Sequence, residues 1–366
     1  MHCGSGFATG TQYTIYYSKY GWLALIMPIF TWALMGIAFY FIFEYSRVTK
    51  VTSYKDYASR VFLKRFSIVF VILLDLCSLF AQILGASGIL AGSGSLFQDY
   101  NVNYWVGVAA AGAVVLGMVI SGARAMMRYS TYLTLGLLIC ILILGIVGTA
   151  QNWTNLVQVI GNRENDGGSF WNALGSAMTY AGVQIGSMFA VCSMAPELKN
   201  NKESAKTAFG GALLNLIMLQ ILGLVMIANY PGINSETLPV LSAMTAINVP
   251  ILRHIYAVML FLALVSTGAG CTFAIVTRFK GYVVKLLKCS ETVASSIVAI
   301  LLMAISVFGS QFGLIAIFST GYGYLSKMAW PLGILPAVII LPIRLYYLKK
   351  SNGKYDYPAK AEEAQG

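Results

Sequence analysis

The chain has 366 residues, of which 58% are hydrophobic and only 10% charged. A soluble globular chain carries charge on about 25% of its residues, so these few charges cannot cover a water-soluble surface of this size. The net charge of +11 would suit a polyanion, but its placement along the chain, set out below, removes the need for a nucleic-acid partner.

Taken in chain order, the residues up to about Tyr17 read as the second half of a membrane span. They lack the basic n-region and the small-residue cleavage site of a signal peptide. Within them, Gly4-Ser5-Gly6-Phe7-Ala8-Thr9-Gly10 places three glycines in seven residues, which disfavours a continuous helix. A bilayer core takes about 20 apolar residues in helical form. Charge-poor stretches of that order follow at Gly21–Phe43, Phe66–Leu90, Tyr104–Ser121, Thr131–Ala150, Phe170–Met194, Ala208–Ala228, Ile255–Val276, Ala294–Phe308 and Trp330–Leu348. The segment Ser310–Met328 fits either a short re-entrant piece or the start of the last span. The longest polar stretches, Glu44–Arg65, Gln151–Gly168 and Lys349–Gly366, are too short for a soluble domain. The last is a charged, small-residue-rich tail of disordered composition.

Cys77, Cys140, Cys192 and Cys271 lie inside apolar runs, and no CxxC or Cys/His spacing marks a thiolate metal site. The two histidines, His2 and His254, are too few for a ligand cluster. Lysine and arginine give the orientation. If the first half-span ends outside, the six basic residues from Arg47 to Arg65 are cytoplasmic. So are Arg124 and Arg128, then Lys199, Lys202 and Lys206, then Arg278, Lys280, Lys285 and Lys288, and finally Arg344, Lys349, Lys350, Lys354 and Lys360. One alternation thus puts 20 of the 24 basic residues inside. Lys19, Arg163, Arg253 and Lys327 are the exceptions. Both termini are then cytoplasmic, in a multi-pass protein of the inner (plasma) membrane.

A second segment, Tyr180-Ala181-Gly182-Val183-Gln184-Ile185-Gly186, breaks helical habit in the middle of the sixth span. Unwound backbone at membrane depth is tolerated where it is buried in protein or lines a cavity. Its free N–H and C=O groups then become ligands for anionic and cationic groups. The two breaks open the corresponding five-span halves, residues about 1–150 and 169–348, and interrupted helices at matched positions point to a transporter site. Close helix packing through small residues is the competing reading of either segment.

With its opening Gly4-Ser5-Gly6-Phe7-Ala8-Thr9-Gly10-Thr11-Gln12 and its ten-span plan, the chain resembles LeuT-fold transporters of the amino acid–polyamine–organocation superfamily, in particular the YkvI-like branch. The resemblance covers nearly the whole chain. It implies an all-α polytopic membrane protein with a 5+5 inverted repeat in residues 1–348 and a first helix that is truncated here. The resembling fold has a cytoplasmic half-helix before the break, whereas Met1 stands almost on it. A start upstream is the expected explanation, since a missing half-helix would remove part of the inner gate and one backbone cation ligand.

The resemblance also orders the polar groups inside the membrane. Asp75 is the one acid near the centre of a predicted span, and an intramembrane charge is costly enough to imply function. Asp75, Ser78, Gln82 and Gly85 recur at helical spacing and form one polar, small stripe. In the resembling fold this third helix lines the substrate cavity, so Asp75 is expected to bind a substrate amine or to take up a coupling proton. A buried, protonated acid bonded to a neighbouring helix is the alternative. Gly4, Ser5, Gly6 and Phe7 of the first break, Gln82, and Tyr180, Ala181, Gly182 and Gln184 of the second complete the expected substrate set. Ala263, Ser266 and Thr267 match the carbonyl and two hydroxyls with which sodium-coupled members hold the ion, and Cys3 matches a carbonyl from the first break. Hydroxyls that bond back to the preceding turn are the alternative there. Pro231–Pro250 resembles the loop that plugs the vestibule, with Leu238–Asn248 as its helical part, and Lys327 reads as an interfacial lysine.

The expected function is secondary active transport: symport of a small amino acid or related zwitterion or amine by alternating access, with Na+ or a proton as coupling ion and no other cofactor. The expected partners are the small-molecule substrate and the lipid bilayer. A non-transporting receptor or sensor on the same fold is the alternative. An intramembrane enzyme would need a His, Cys or paired-acid constellation that the spans lack, and a channel would more often show repeated filter segments or charged rings.

Overall fold

Away from water a lone backbone segment satisfies its polar groups as a helix, and the apolar stretches of this chain do so. A computed structural model describes residues 5–51, 54–62, 67–121, 123–187, 195–247 and 249–350, and every regular element among them is helical. Cys3 and Gly4 of the expected sites, and residues 351–366 of the tail, lie outside the described residues.

The elements are α1 (Ser5–Thr9), α2 (Thr11–Tyr16), a 3-10 segment Ser18–Leu25, α3 (Met27–Thr49), α4 (Tyr54–Val61), α5 (Ser67–Asp99), α6 (Tyr104–Ser121), α7 (Ala123–Gln151), α8 (Trp153–Gly161), α9 (Phe170–Gln184), α10 (Asn201–Ala228), α11 (Pro239–Ala246), α12 (Pro250–Leu287), α13 (Glu291–Ser310) and α14 (Leu314–Lys350). Among the described residues, α3, α5, α10, α12, α13 and α14 are each long and apolar enough to cross a membrane. The end of α7 and α8 form a pair bent by 76°, and α6 is a shorter apolar helix.

Two expectations are corrected and one open reading is decided. The second span starts at Met27 rather than Gly21, because Gly21 is left-handed at φ 53° and a Cβ there would sit 1.8 Å from the Glu164 carbonyl oxygen. Of the two readings of Ser310–Met328 the start of the last span is met, since from Leu314 the segment is the first half of α14. That helix accommodates Pro331 and Pro336 by widening into π turns at Trp330–Ile334 and Pro336–Ile340, since a proline lacks the N–H and crowds the preceding turn. The break in the sixth span begins later than expected: Tyr180, Ala181, Gly182 and Gln184 are all inside α9, and the tighter 3-10 turn starts at Ile185.

The chain packs as two compact units. The first comprises Met1–Met27, Leu79–Ser176 and Met218–Tyr322. Its core lies among α5, α6, α12 and α13, where Leu90, Val115, Val265, Ala269, Leu302 and Met303 are buried together. Small residues set the spacing. A Cβ at Gly107 would fall 2.5 Å from the Ser93 carbonyl oxygen, and one at Gly268 would fall 3.0 Å from Val115, the close approach that membrane helices use in place of a hydrophobic driving force. At one end of this unit Asn155 Nδ2 donates to the carbonyls of Ala228 and Tyr230 at 2.9 and 3.0 Å. The Asp166 N–H donates to the Tyr230 hydroxyl, and burial pushes that phenol up to about 12.

The second unit comprises Pro28–Ser78, Ala177–Ile217 and Gly323–Gly366. Thr31 Oγ1 of α3 donates to the Ala177 carbonyl at 3.1 Å, and Asn201 Nδ2 to the Tyr40 hydroxyl at 2.9 Å. Glu44, buried at the end of α3, accepts two hydrogen bonds from Arg47 at 2.8 and 3.0 Å. Gly182 of α9 is a packing glycine: a Cβ there would lie 2.1 Å from Ser326 Oγ and 2.9 Å from the Trp330 ring of α14. Trp330 Nε1 donates to the Met178 carbonyl beside it at 3.0 Å.

The four basic residues that depart from the charge alternation all rest on aromatic rings within their own unit. Lys19 lies over Tyr20, Arg163 over Trp22, Arg253 over Tyr100 and Lys327 over Tyr324, at 5.1, 5.6, 4.8 and 5.2 Å from the ring centroids. Such contacts hold a cation at a partly dehydrated place, and Arg253 is also ion-paired with Asp99 at 2.5 Å.

Overpacking a tight interface costs about 1–3 kcal/mol. Gly182→Leu is therefore expected to lower the thermal midpoint of the detergent-solubilised protein by about 2–5 °C. Gly175→Leu on the same helix, where a Cβ meets open space, is expected to stay within about 1 °C of the parent. Equal losses in a thermal-shift assay would contradict the packing role of Gly182.

Candidate functional site

The first helix is broken at a single residue. Gly10 is left-handed, with φ 79° and ψ −12°, between α1 and α2. A Cβ there would lie 2.8 Å from Val240 Cγ2 and 3.2 Å from the Val240 backbone nitrogen. Glycine is thus required both by the conformation and by the approach of α11. The expected break of seven residues is narrower than its glycine content suggested, since Ser5–Thr9 is helical.

Ending α1 at Gly10 strips its last carbonyls of helical donors, and each of three is given another. The Gly10 N–H donates to the Phe7 carbonyl at 3.1 Å, and Thr9 Oγ1 donates to the Gly6 carbonyl at 3.1 Å. The Tyr256 hydroxyl of α12 donates to the Ala8 carbonyl. On the far side of the break Thr11 Oγ1 donates to the Thr237 carbonyl at 2.8 Å, just before α11. The helical part of the expected plug loop, α11, therefore sits against the broken helix and also packs on α12. Gln12 folds its amide over Gly6, with its atoms 2.2 to 2.9 Å from where a Cβ would be. Gln12 is itself buried.

The expected cation ligands lie on α12. Thr267 Oγ1 donates to the Ala263 carbonyl at 2.8 Å, one turn back, so the back-bonding alternative is realised for this hydroxyl. The hydroxyl keeps its own lone pairs, while the Ala263 carbonyl, inside the continuous α12, also accepts the helical N–H one turn on. Ser266, one residue before Thr267, is buried. Tyr256, Leu260, Ala263 and Thr267 follow one another at spacings of four, three and four along α12 and so share a face, and α1 packs against this helix.

The remaining expected residues divide between the units. Phe7 is buried in the first, which also contains Gln82, half-buried on α5. Asp75, half-buried on the same helix, belongs to the second and is not isolated there. Tyr180, Ala181, Gly182 and Gln184 are all buried in the second unit. Sequence reasoning assigned no role to Tyr256 or Gln12. Gln12 had a signal, being the one amide in the glycine-rich opening; Tyr256 had none beyond a phenol at membrane depth.

No family model matches the chain, and no curated protein matches it in sequence. Solved structures do match it. Against the inward-facing conformation of Mhp1 the identity is 15% and the TM-score 0.63, covering 94% of this chain and 76% of that one. Against MhsT in complex with L-phenylalanine the identity is 14% and the TM-score 0.51, with 96% and 98% covered. A mutant of the manganese transporter of Eremococcus coleocola aligns at 11% identity and a TM-score of 0.56, with 91% and 76% covered. These are LeuT-fold proteins, and the all-helical chain with its several membrane-spanning helices has the LeuT fold.

Proposed function

We propose that the chain is a secondary transporter that carries a small amino acid, or a related zwitterion or amine, by cation-coupled symport and alternating access. One observation carries this reading: a first helix broken at Gly10, held by α11 and α12, in a chain with the LeuT fold. A continuous helix would be more stable, and a broken one is kept where its backbone has work to do at membrane depth. The likeness to a protein in complex with L-phenylalanine supports an amino acid as cargo. Both termini and the basic loops are placed on the cytoplasmic side of the plasma membrane, as the lysine and arginine alternation supports.

In this reading Ser5, Gly6 and Phe7, with Gly4, hold one polar end of the substrate. Gln184, at the end of α9 where the 3-10 turn begins, holds the other with Tyr180, Ala181 and Gly182. Asp75 and Gln82 line the α5 side, Asp75 taking a substrate amine or the coupling proton. Sodium is held by the Ala263 carbonyl and the Ser266 and Thr267 hydroxyls, hard oxygen donors that suit a hard cation, with the Cys3 carbonyl as the fourth ligand. A receptor or sensor on the same fold would bind the substrate without moving it, and flux separates the two.

Proteoliposomes assayed over a panel of amino acids and amines are expected to accumulate at least one of them in response to an imposed sodium or proton gradient. Absence of any gradient-driven flux would remove the symport reading. The double variant Ser266→Ala, Thr267→Ala is expected to raise the half-saturating sodium concentration by about a hundredfold or more, since each oxygen lost from a charged ligand costs on the order of 1.5–3 kcal/mol. Unchanged sodium dependence would end the cation assignment. For Asp75→Asn we expect weakened substrate binding or loss of the pH dependence of uptake. Wild-type uptake across pH in that variant would leave Asp75 a structural group.

A further inference from the structure

We infer that the Tyr256 phenol is the latch that docks the broken first helix onto α12. Of the three carbonyls at the end of α1 that are given new donors, those of Gly6 and Phe7 are served from within the segment itself, by Thr9 and Gly10. The Ala8 carbonyl alone takes its donor from another helix, and that donor is the Tyr256 hydroxyl. Among the described residues this is the hydrogen bond that joins α1 to α12. Tyr256 is fully buried, so its ring cannot follow a moving α1, and its hydroxyl cannot find water as a substitute. Neither partner can leave without stranding a polar group at membrane depth, which makes the bond a two-position device: made when α1 is docked, broken when it is not.

The placement gives the latch its consequence, which rests on the transport reading above. Tyr256 lies on the α12 face that carries Ala263 and Thr267, about two and three turns further along the helix. Any movement of α1 that opens or closes a path past the break must first part the Ala8 carbonyl from this phenol. Val240 against Gly10 and Thr237 on Thr11 hold the other side of the break, and they are joined to α11 rather than to α12. Loss of the phenol therefore removes the hydrogen bond that ties α1 to α12 while leaving α11 in contact with the break. Tyr256 acts here as a positioning residue, since the group it holds is backbone.

The test is independent of any substrate. Hydrogen–deuterium exchange is measured on the full-length protein in nanodiscs, for the parent and for Tyr256→Phe, which keeps the ring and removes only the donor. Peptides covering residues 5–16 are expected to exchange faster in the variant by about three- to tenfold, the worth of one hydrogen bond, with peptides from α6 and α13 unchanged. Equal exchange of residues 5–16 in the two proteins overturns the latch. Faster exchange spread over α6 and α13 as well also overturns it, because the change would then be general loosening. A second variant, Thr11→Val, removes the bond to the Thr237 carbonyl. The latch predicts that its effect on exchange adds to that of Tyr256→Phe, and that Thr11→Val alone leaves α12 peptides around residue 256 as protected as in the parent. Selective exchange in residues 5–16, in a protein that takes up no amino acid or amine, supports the latch and counts against the transport reading, so the two fail separately.

Discussion

A polypeptide in a bilayer has to satisfy every backbone N–H and C=O from within itself, and this structure turns on a place where a helix declines to do so. At Gly10 the first helix gives up its own ladder. The neighbourhood then supplies what the ladder no longer does: a threonine hydroxyl, a glycine N–H and a tyrosine phenol for the carbonyls of α1, and a loop carbonyl for Thr11. Because α11 approaches so closely that a methyl group at Gly10 would strike Val240, the break is built by its surroundings as much as by the glycine. The same helix that supplies the phenol, α12, carries the oxygens proposed for the cation. In the proposed function, ion, first helix and plug helix thus meet on one scaffold within a single compact unit.

Much of the architecture was legible in the sequence, and the reasons are physical. Apolar length and the scarcity of charge identify membrane helices directly, and α6 begins and ends where the sequence placed it, at Tyr104 and Ser121. Its start is marked by Asn103, whose side chain accepts from the Trp105 N–H at 2.9 Å. The four basic residues outside the expected alternation are seated on rings, a tertiary contact that charge counting cannot see.

What was not legible depends on which neighbour a glycine meets. Gly182 and Gly186 look alike in the sequence. In the fold Gly182 is pressed against Ser326 and Trp330, while a Cβ at Gly186 would meet open space in a 3-10 turn. The first is packing and the second marks where α9 gives way, so the expected break slid toward its C-terminal end. Gly21 was read as the start of a span because it precedes an apolar run, yet its conformation is dictated by Glu164, far along the chain. The Tyr256–Ala8 bond joins residues 248 positions apart, and no local pattern announces such a pair. Pro331 and Pro336 do not interrupt the last span, because wider turns let α14 run through both.

In the proposed function the broken helix serves passage across the membrane and not binding alone. Counterflow measures that most directly. Proteoliposomes are loaded with an unlabelled mixture of the proteinogenic amino acids and diluted into labelled tracer with no ion gradient across the membrane, so only a carrier that exposes one site to each side in turn can act. The account predicts that at least one labelled amino acid rises transiently above its equilibrium level inside the vesicles and then declines. Saturable binding of a tracer to the purified protein, with no overshoot for any amino acid in the vesicles, would contradict it and make the chain a receptor on a transporter's fold.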